Sequence, residues 1–236
     1  MQLFQIRYRK YIFCFCFLST ILLTACGIQS FIYLEKPERS GHDPSNLEDL
    51  SQRYCEFNTA DTANATQAAG YIKGTEIYYR IYERENDCKN DKSIIDDYNA
   101  KHPFAAAKYL EETKKYYRLE TNQILTRPLI GTHSADVTVR FRLQDYGSPA
   151  IDPAQLTING VSRGIPRRDG RIQNNNKIFN KDNIAIGDDD VQAASSSGTE
   201  AYWYVRFYAV SYGYTSTFST LHSPLEDIGY ILIEKN

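Results

Sequence analysis

The side chains best suited to catalysis or metal binding are few and lie far apart along the chain. The four histidines are His42, His102, His133 and His222. None lies four residues from another, so a helix would not present two of them to one metal ion. His133, Ser134 and Asp136 are close in sequence, but a Ser-His-Asp site requires side chains that converge in space. We therefore expect a turn leading into a strand here, and we predict no catalytic or metal site.

Two polar loops carry a high density of charge. The run Asp188–Asp190 follows Gly187, and oxygen-rich loops can bind calcium. The alternating ligand spacing and bidentate acid of a known calcium loop are missing, so a solvated turn is favoured over a calcium site. The other loop contains Arg163, Arg167, Arg168 and Arg171. Exposed arginines could bind phosphates or sulfated sugars through paired hydrogen bonds, but a solvated loop is again favoured.

The N-terminal segment has the order of a secretory signal. A basic start at Arg7, Arg9 and Lys10 precedes an uncharged, apolar run from residue 11 to residue 24. That run of 24 − 10 = 14 residues is shorter than the roughly 20 that a bilayer-spanning helix requires. A signal peptide over residues 1–25 is therefore favoured over a retained anchor helix.

The end of this signal carries a reactive cysteine. The stretch LTAC at 23–26 resembles a bacterial lipobox, in which the cysteine thiol is acylated and the chain is cut just before it. The resemblance implies a mature chain that begins at Cys26 and is held in membrane lipid by several acyl chains, each buried methylene contributing about 0.8 kcal/mol. No aspartate follows Cys26 directly, which by analogy with enteric bacteria favours the outer membrane over the inner membrane.

Two cysteines remain beyond Cys26. Cys55 and Cys88 form an even pair in a chain that is predicted to be exported, so we expect a disulfide between them. The alternative is two buried free thiols. A metal site would require further ligands at suitable spacing, and none lie nearby in sequence.

Length and charge limit the classes of function. Residues 26–236 suit one domain with long insertions, and the whole chain has a net charge of −2. Loss of the three basic residues of the signal changes this to −2 − 3 = −5. Such a mildly acidic chain is not expected to bind nucleic acid. The 19 tyrosines favour strands over helices.

The order of polar and apolar residues predicts strands with one helical insertion. Residues 26–50 are polar and contain Pro37 and Pro44, which indicates a tether. Apolar and polar residues alternate over 75–82, 136–144, 201–211 and 228–234, the pattern of half-buried strands. Between the first two, residues 93–118 are rich in helix formers and predict a helical insertion.

Two of these strands suggest a family. The stretch GTEIYYR at 74–80 resembles the third strand of a fibronectin type III domain, and WYVRFYAV at 203–210 resembles its sixth. The chain as a whole resembles spirochaete-type surface lipoproteins with such a domain. The resemblance implies a mainly β fold, an immunoglobulin/fibronectin type III-like β-sandwich over residues 51–236 with a helical insertion.

The same resemblance implies a surface of tyrosine and arginine. The third and sixth strands are neighbours in that family, so two sets of outward side chains would lie together. These are Tyr78, Arg80, Tyr82, Tyr204, Arg206 and Tyr208. Tyrosine and arginine are favoured at recognition surfaces because they offer large contact area and stacking. Two alternatives stay open: cross-strand pairing that only stabilises the sheet, or a face covered by the helical insertion.

From these features we expect a lipid-anchored cell-envelope protein that acts as a non-enzymatic binding or interaction module without a cofactor. Its partner would be another envelope protein, a polysaccharide or a host molecule, in addition to membrane lipid through acylated Cys26. The alternatives are an envelope hydrolase and a purely structural lipoprotein.

Overall fold

Strands make up most of the regular structure, as the alternating pattern predicts. The computed structural model describes residues 32–45, 49–145, 152–172, 177–195 and 200–235. The predicted signal and Cys26 lie outside the described residues. Within the described ranges, no helix combines the length and apolar character needed to cross a bilayer.

The described residues contain fourteen strands and three α-helices. The strands are β1 Glu38–Arg39, β2 Cys55–Asn58, β3 Ile72–Tyr82, β4 Tyr117–Arg118, β5 Glu120–Thr121, β6 Ile130–Gly131, β7 Thr138–Arg142, β8 Gln155–Ile158, β9 Val161–Ser162, β10 Pro166–Arg167, β11 Val191–Gln192, β12 Tyr202–Tyr214, β13 Thr220–His222 and β14 Glu226–Glu234. The helices are α1 Asp61–Gln67, α2 Glu85–Lys101 and α3 Ala106–Glu112, with short 3-10 turns at Leu50–Gln52 and Pro103–Ala105.

Two sheets face each other. The first has the order β1-β2-β7-β8-β9, and all of its pairs are antiparallel. The second is built on the long antiparallel pair β3 and β12, which β14 and β13 extend on the far side of β12. On the other side of β3 lie β4, β6 and the parallel strand β11. Strands β5 and β10 form a separate small pair.

An inner core fills the space between the two sheets. Its side chains come from alternate positions of each strand, because successive residues of a strand point to opposite faces. The second sheet contributes Ile77, Tyr79, Ile81, Val205, Phe207, Ile231 and Ile233, and the first contributes Cys55, Phe57, Val139, Phe141, Leu156 and Ile158. Each of these is at most 7% exposed. The predicted alternation is therefore confirmed, and its apolar side is the buried face of each sheet.

A second, outer core lies on the opposite face of β3 and β12, under the helices. Ile95 of α2 and Ala106, Ala107 and Leu110 of α3 are fully buried there. The helical region was predicted at 93–118, but α2 begins at Glu85 and α3 ends at Glu112. The sequence did not indicate the start of α2, because the residue before it, Arg84, provides no side-chain cap. The start is stabilised by Glu85 and Asp87 in the first turn, since acidic residues are favourable at the positive end of the helix dipole.

The start of the folded part also differs from the prediction. Residues 33–45 belong to the folded unit, not to a tether that reaches residue 50. Leu34 is 1% exposed, and the backbone of Glu35 exchanges two hydrogen bonds with the side chain of Asn64 in α1. Proline and polar residues made this segment look unstructured, but its fixed contacts are made with distant parts of the chain.

Candidate functional site

The tyrosine–arginine face is assembled as predicted but is not a surface. Across β3 and β12, Tyr78 faces Tyr208, Arg80 faces Arg206, and Tyr82 faces Tyr204. Helices α2 and α3 cover this face. Tyr78, Tyr82 and Tyr208 are at most 1% exposed, Arg206 is 3% exposed and Tyr204 is 8% exposed. The prediction of an open partner-binding patch is therefore wrong, and the helical cover is the reason.

Several polar atoms of this face are bonded inside the protein, whereas Arg80 Nε and the Tyr208 hydroxyl have no hydrogen-bond partner among the described residues. The hydroxyl of Tyr82 donates to Asp91 Oδ2 at 2.5 Å and also contacts the hydroxyl of Tyr116. The guanidinium of Arg206 donates to Asp227 Oδ1 at 2.7 Å and to Cys88 Sγ at 3.3 Å. Buried polar groups require such partners, so these bonds stabilise the outer core and leave little for an external ligand.

The predicted disulfide is absent, because Cys55 and Cys88 are both free thiols. Cys55 lies in the inner core, whereas Cys88 is a residue of α2 that is buried in the outer core, so the β3–β12 sheet separates their environments. Burial raises the pKa of both thiols. A buried thiol with a raised pKa forms little thiolate, which is the reactive species.

The acidic run and the arginine loop neutralise each other. Arg168 is fully buried; it donates to Asp190 Oδ2 at 2.7 Å and to Asp188 Oδ2 at 2.8 Å. Tyr79 donates its hydroxyl to the same Asp190 carboxylate. The expectation of two solvated loops is therefore wrong for these residues. The carboxylates already hold a cation, and within the described residues no three acidic, cysteine or histidine side chains are arranged to bind a metal ion.

The rest of both loops behaves more simply. Arg171 is half-exposed and donates to Asp169 Oδ2 at 2.7 Å, and Arg163 is exposed. The short sequence His133-Ser134-Ala135-Asp136 lies at a bend before β7, as the sequence predicted. His133 Nδ1 lies 3.7 Å from Asp61, and Asp136 accepts a hydrogen bond from the Thr62 backbone in α1.

One group of titratable side chains converges that no pattern in the sequence indicated. Glu76 of β3 is 1% exposed and accepts hydrogen bonds from Arg127 Nε at 2.5 Å and Nη2 at 2.7 Å. Tyr78 donates its hydroxyl to the same carboxylate at 2.9 Å. His222 Nε2 lies 3.9 Å from it, without a hydrogen-bond partner among the described residues. Burial lowers the pKa of His222 to about 4, so the imidazole is neutral at pH 7.

This Glu76 cluster is a buried carboxylate paired with a partly exposed arginine, not an open site. The carboxylate is held by three donors of the chain itself, and Tyr212 lies against the Arg127 guanidinium at 4.5 Å. Alternation does place Glu76 on the same strand face as Tyr78. Alternation does not indicate whether that face is exposed or covered. Glu76 is buried because the face is covered.

A pocket of about 450 Å³ lies where β7 and β14 end. We call it the end pocket. Its lining residues are Leu143, Gln144, Asp145, Ala154, Ile165, Ile178, Phe179, Asn180, Lys181, Asp182 and Glu234. They come from five separate segments, so no spacing along the sequence could have indicated the pocket.

The end pocket has an apolar part and a charged rim. Leu143 and Phe179 are buried members of the inner core, whereas Ile165 and Ile178 are 40% and 37% exposed. The charged lining residues, Asp145, Lys181, Asp182 and Glu234, are all exposed. Asp145 also accepts a hydrogen bond from the Ala154 backbone at 2.6 Å, which joins the two segments on either side.

Comparison of the chain with protein-family models, with curated proteins and with solved structures finds no match.

Proposed function

We propose that this chain is a lipid-anchored cell-envelope protein whose folded part is a non-enzymatic interaction module. The end pocket takes the role that the sequence suggested for the tyrosine–arginine face. The observation that carries this proposal is the pocket itself, about 450 Å³ in volume, with apolar side chains inside and charged ones at the rim. Ligand sites in proteins have this size and this mixture of surfaces.

The anchor is proposed from the N-terminal sequence. The LTAC stretch at 23–26 follows a basic start and a short apolar run, the order that precedes lipid attachment in exported bacterial proteins. Acylation of Cys26 would hold the folded unit at a membrane surface, with the outer membrane favoured. The folded unit begins at Tyr33, so a short connection would separate it from the lipid.

We also propose that the sandwich is fibronectin type III-like. In support, β1, β2 and β7 are neighbours in one sheet, as are the first, second and fifth strands of that family. Strands β3, β12 and β14 are neighbours in the other, as are its third, sixth and seventh. Strand β4 pairs with β3 on the side where the family has its fourth strand. The helices and the remaining strands, β5, β6, β8 to β11 and β13, are departures from the family.

The rival hypothesis of an envelope hydrolase requires titratable groups that converge in an accessible cleft. The Glu76 cluster has the converging groups, but its carboxylate is 1% exposed and is bound by Arg127 and Tyr78. This arrangement favours a stabilising role for the cluster and supports an interaction module. A purely structural lipoprotein would leave the end pocket without a partner.

Photo-crosslinking in cells of the native organism tests the proposal. We would introduce benzoylphenylalanine in place of Lys181 at the rim of the end pocket, and in place of Lys108 on α3 as the matched control. Both lysines are exposed. We expect a discrete crosslinked partner from position 181 and none of the same mass from position 108. No crosslink from position 181, or the same products from both positions, would contradict the proposal.

A further inference from the structure

We infer that the end pocket binds a peptide segment of a partner protein in which a lysine or arginine lies next to an apolar residue. The inference rests on the proposed function and specifies the chemistry of the partner. It follows from the signs of the charges at the rim, from the apolar surface beside them and from the neighbouring Lys235, whose ammonium is bonded elsewhere.

The rim of the pocket is acidic. Asp145, Asp182 and Glu234 supply three negative charges, and Lys181 supplies one positive charge, which leaves 1 − 3 = −2. Lys235, the next residue after β14, does not change this balance at the pocket, because its ammonium donates to the Glu83 carbonyl at 2.8 Å. Lysine and arginine are therefore the ligand groups with complementary charge, and an anionic ligand would be repelled.

Apolar surface lies beside these charges. Both isoleucines of the lining lie next to strand β10. Ile165 directly precedes it in sequence, and Ile178 forms an isolated antiparallel bridge with Arg167 of this strand. Both isoleucines are more than one third exposed, although β-branched apolar residues are usually buried. A ligand side chain that covered them would remove this apolar surface from water, which favours binding.

The lining disfavours a polysaccharide. Sugar rings pack on exposed aromatic faces, and the one aromatic residue of the lining, Phe179, is 0% exposed. Its ring lies edge-on to Tyr79 in the inner core, with ring centres 5.0 Å apart. A peptide with one basic and one apolar side chain uses both kinds of surface that the pocket presents.

Peptide binding to the full-length protein in nonionic micelles tests the inference. The probes are Gly-Lys-Leu-Gly, Gly-Glu-Leu-Gly and Gly-Lys-Ser-Gly, each labelled with the same neutral dye, and the readout is fluorescence anisotropy corrected for empty micelles. We expect the Lys-Leu peptide to bind most tightly. The double variant Asp182→Asn with Glu234→Gln should weaken its binding about tenfold, because it removes two of the three acidic charges at the rim.

The controls separate charge from apolar contact. Asp97→Asn removes another exposed acid, on α2, where its partner is Lys101, and should leave peptide binding unchanged. Ile165→Thr keeps the β-branched shape and should weaken the Lys-Leu peptide more than the Lys-Ser peptide. Raising the salt concentration should weaken binding to the unaltered chain more than to the double variant, because salt screens exposed charges.

Three results would overturn the inference: no peptide binds, the Glu-Leu peptide binds equally well, or the double variant binds the Lys-Leu peptide as tightly as the unaltered chain. None of these contradicts the proposed function if position 181 still crosslinks a partner in cells. In that case the pocket is an interaction site with a different chemical preference.

Discussion

At the scale of single residues, the charges of this chain are more often internal than their sequence context indicates. Arg168 and Asp190 are both fully buried and hold two loops against Tyr79 of the inner core. Removing one partner from such a pair leaves an uncompensated buried charge, which costs about 3–5 kcal/mol. Glu76 is also buried and paired, but the side chain of its partner Arg127 is 31% exposed, so this second pair is screened by solvent and contributes less. These residues therefore act on folding, although their spacing suggested solvated loops or an exposed strand face.

His222 makes stability depend on pH in a direction that follows from its burial. Its pKa is about 4 in the folded chain, against about 6.5 when it is exposed in the unfolded chain. Between these values the unfolded state binds more protons, so the free energy of unfolding decreases as the pH falls from about 6.5 to about 4. We expect a loss of at most about 3 kcal/mol from this group. Denaturant titrations of the unaltered chain and of His222→Gln should show a shallower decrease in the variant.

The matched control for that experiment is His102→Gln. His102 is exposed at the end of α2, so its replacement removes one imidazole without disturbing the buried surroundings of His222. Equal slopes for the unaltered chain and His222→Gln over this range would show that the buried imidazole does not couple to folding.

At the scale of elements, α2 and α3 decide what the central sheet can do. Without them, β3 and β12 would present tyrosine and arginine to water. With them, the same side chains form a second core that is bonded to Asp91, Tyr116 and Asp227. The helices thus convert a strand face suited to recognition into one that stabilises the fold.

Two adjacent isoleucines of α2 test this role. Ile95 is fully buried against the sheet, whereas Ile94 is 50% exposed on the same helix. Ile95→Ala should lower the free energy of unfolding by about 2–5 kcal/mol through lost burial and the cavity left behind. Ile94→Ala should change it by less than about 1 kcal/mol. Equilibrium unfolding in urea measures both, and similar losses for the two variants would mean that α2 does not cover the sheet as described.

At the scale of the whole molecule, location is proposed from one end of the chain and binding from another part of it. The lipobox-like stretch at 23–26 precedes the folded unit, and the end pocket lies where β7 and β14 finish. Both remaining cysteines are free in a chain that we propose to be exported. Stability must therefore come from the two cores and their ion pairs, without a covalent cross-link between these residues.

Replacement of the lipid-bearing cysteine tests the proposed location. Cys26→Ser should abolish labelling by a fatty-acid probe and leave an unprocessed or soluble chain, because the hydroxyl cannot replace the thiol in acylation. The readouts are metabolic labelling, gel mobility and fractionation of cells. Cys55→Ser is not a suitable control because Cys55 is buried in the inner core, so the unaltered chain serves as the reference. If Cys26→Ser is still labelled, the acyl group is not attached at residue 26, and the proposed anchor is wrong.

The sequence alone indicated four strand regions, at 75–82, 136–144, 201–211 and 228–234, and which side chains share a face within them, because period-two alternation is a local property of the extended backbone. It placed Tyr78, Arg80 and Tyr82 on one face, and cross-strand pairing with β12 is as expected. Tertiary structure decided which faces are buried, which charges are paired and where a pocket forms. Burial of a strand face depends on what packs against it, which can be far away in sequence. The end pocket likewise joins side chains from segments as distant as Leu143 and Glu234. No local pattern in the sequence therefore indicates the burial or the pocket.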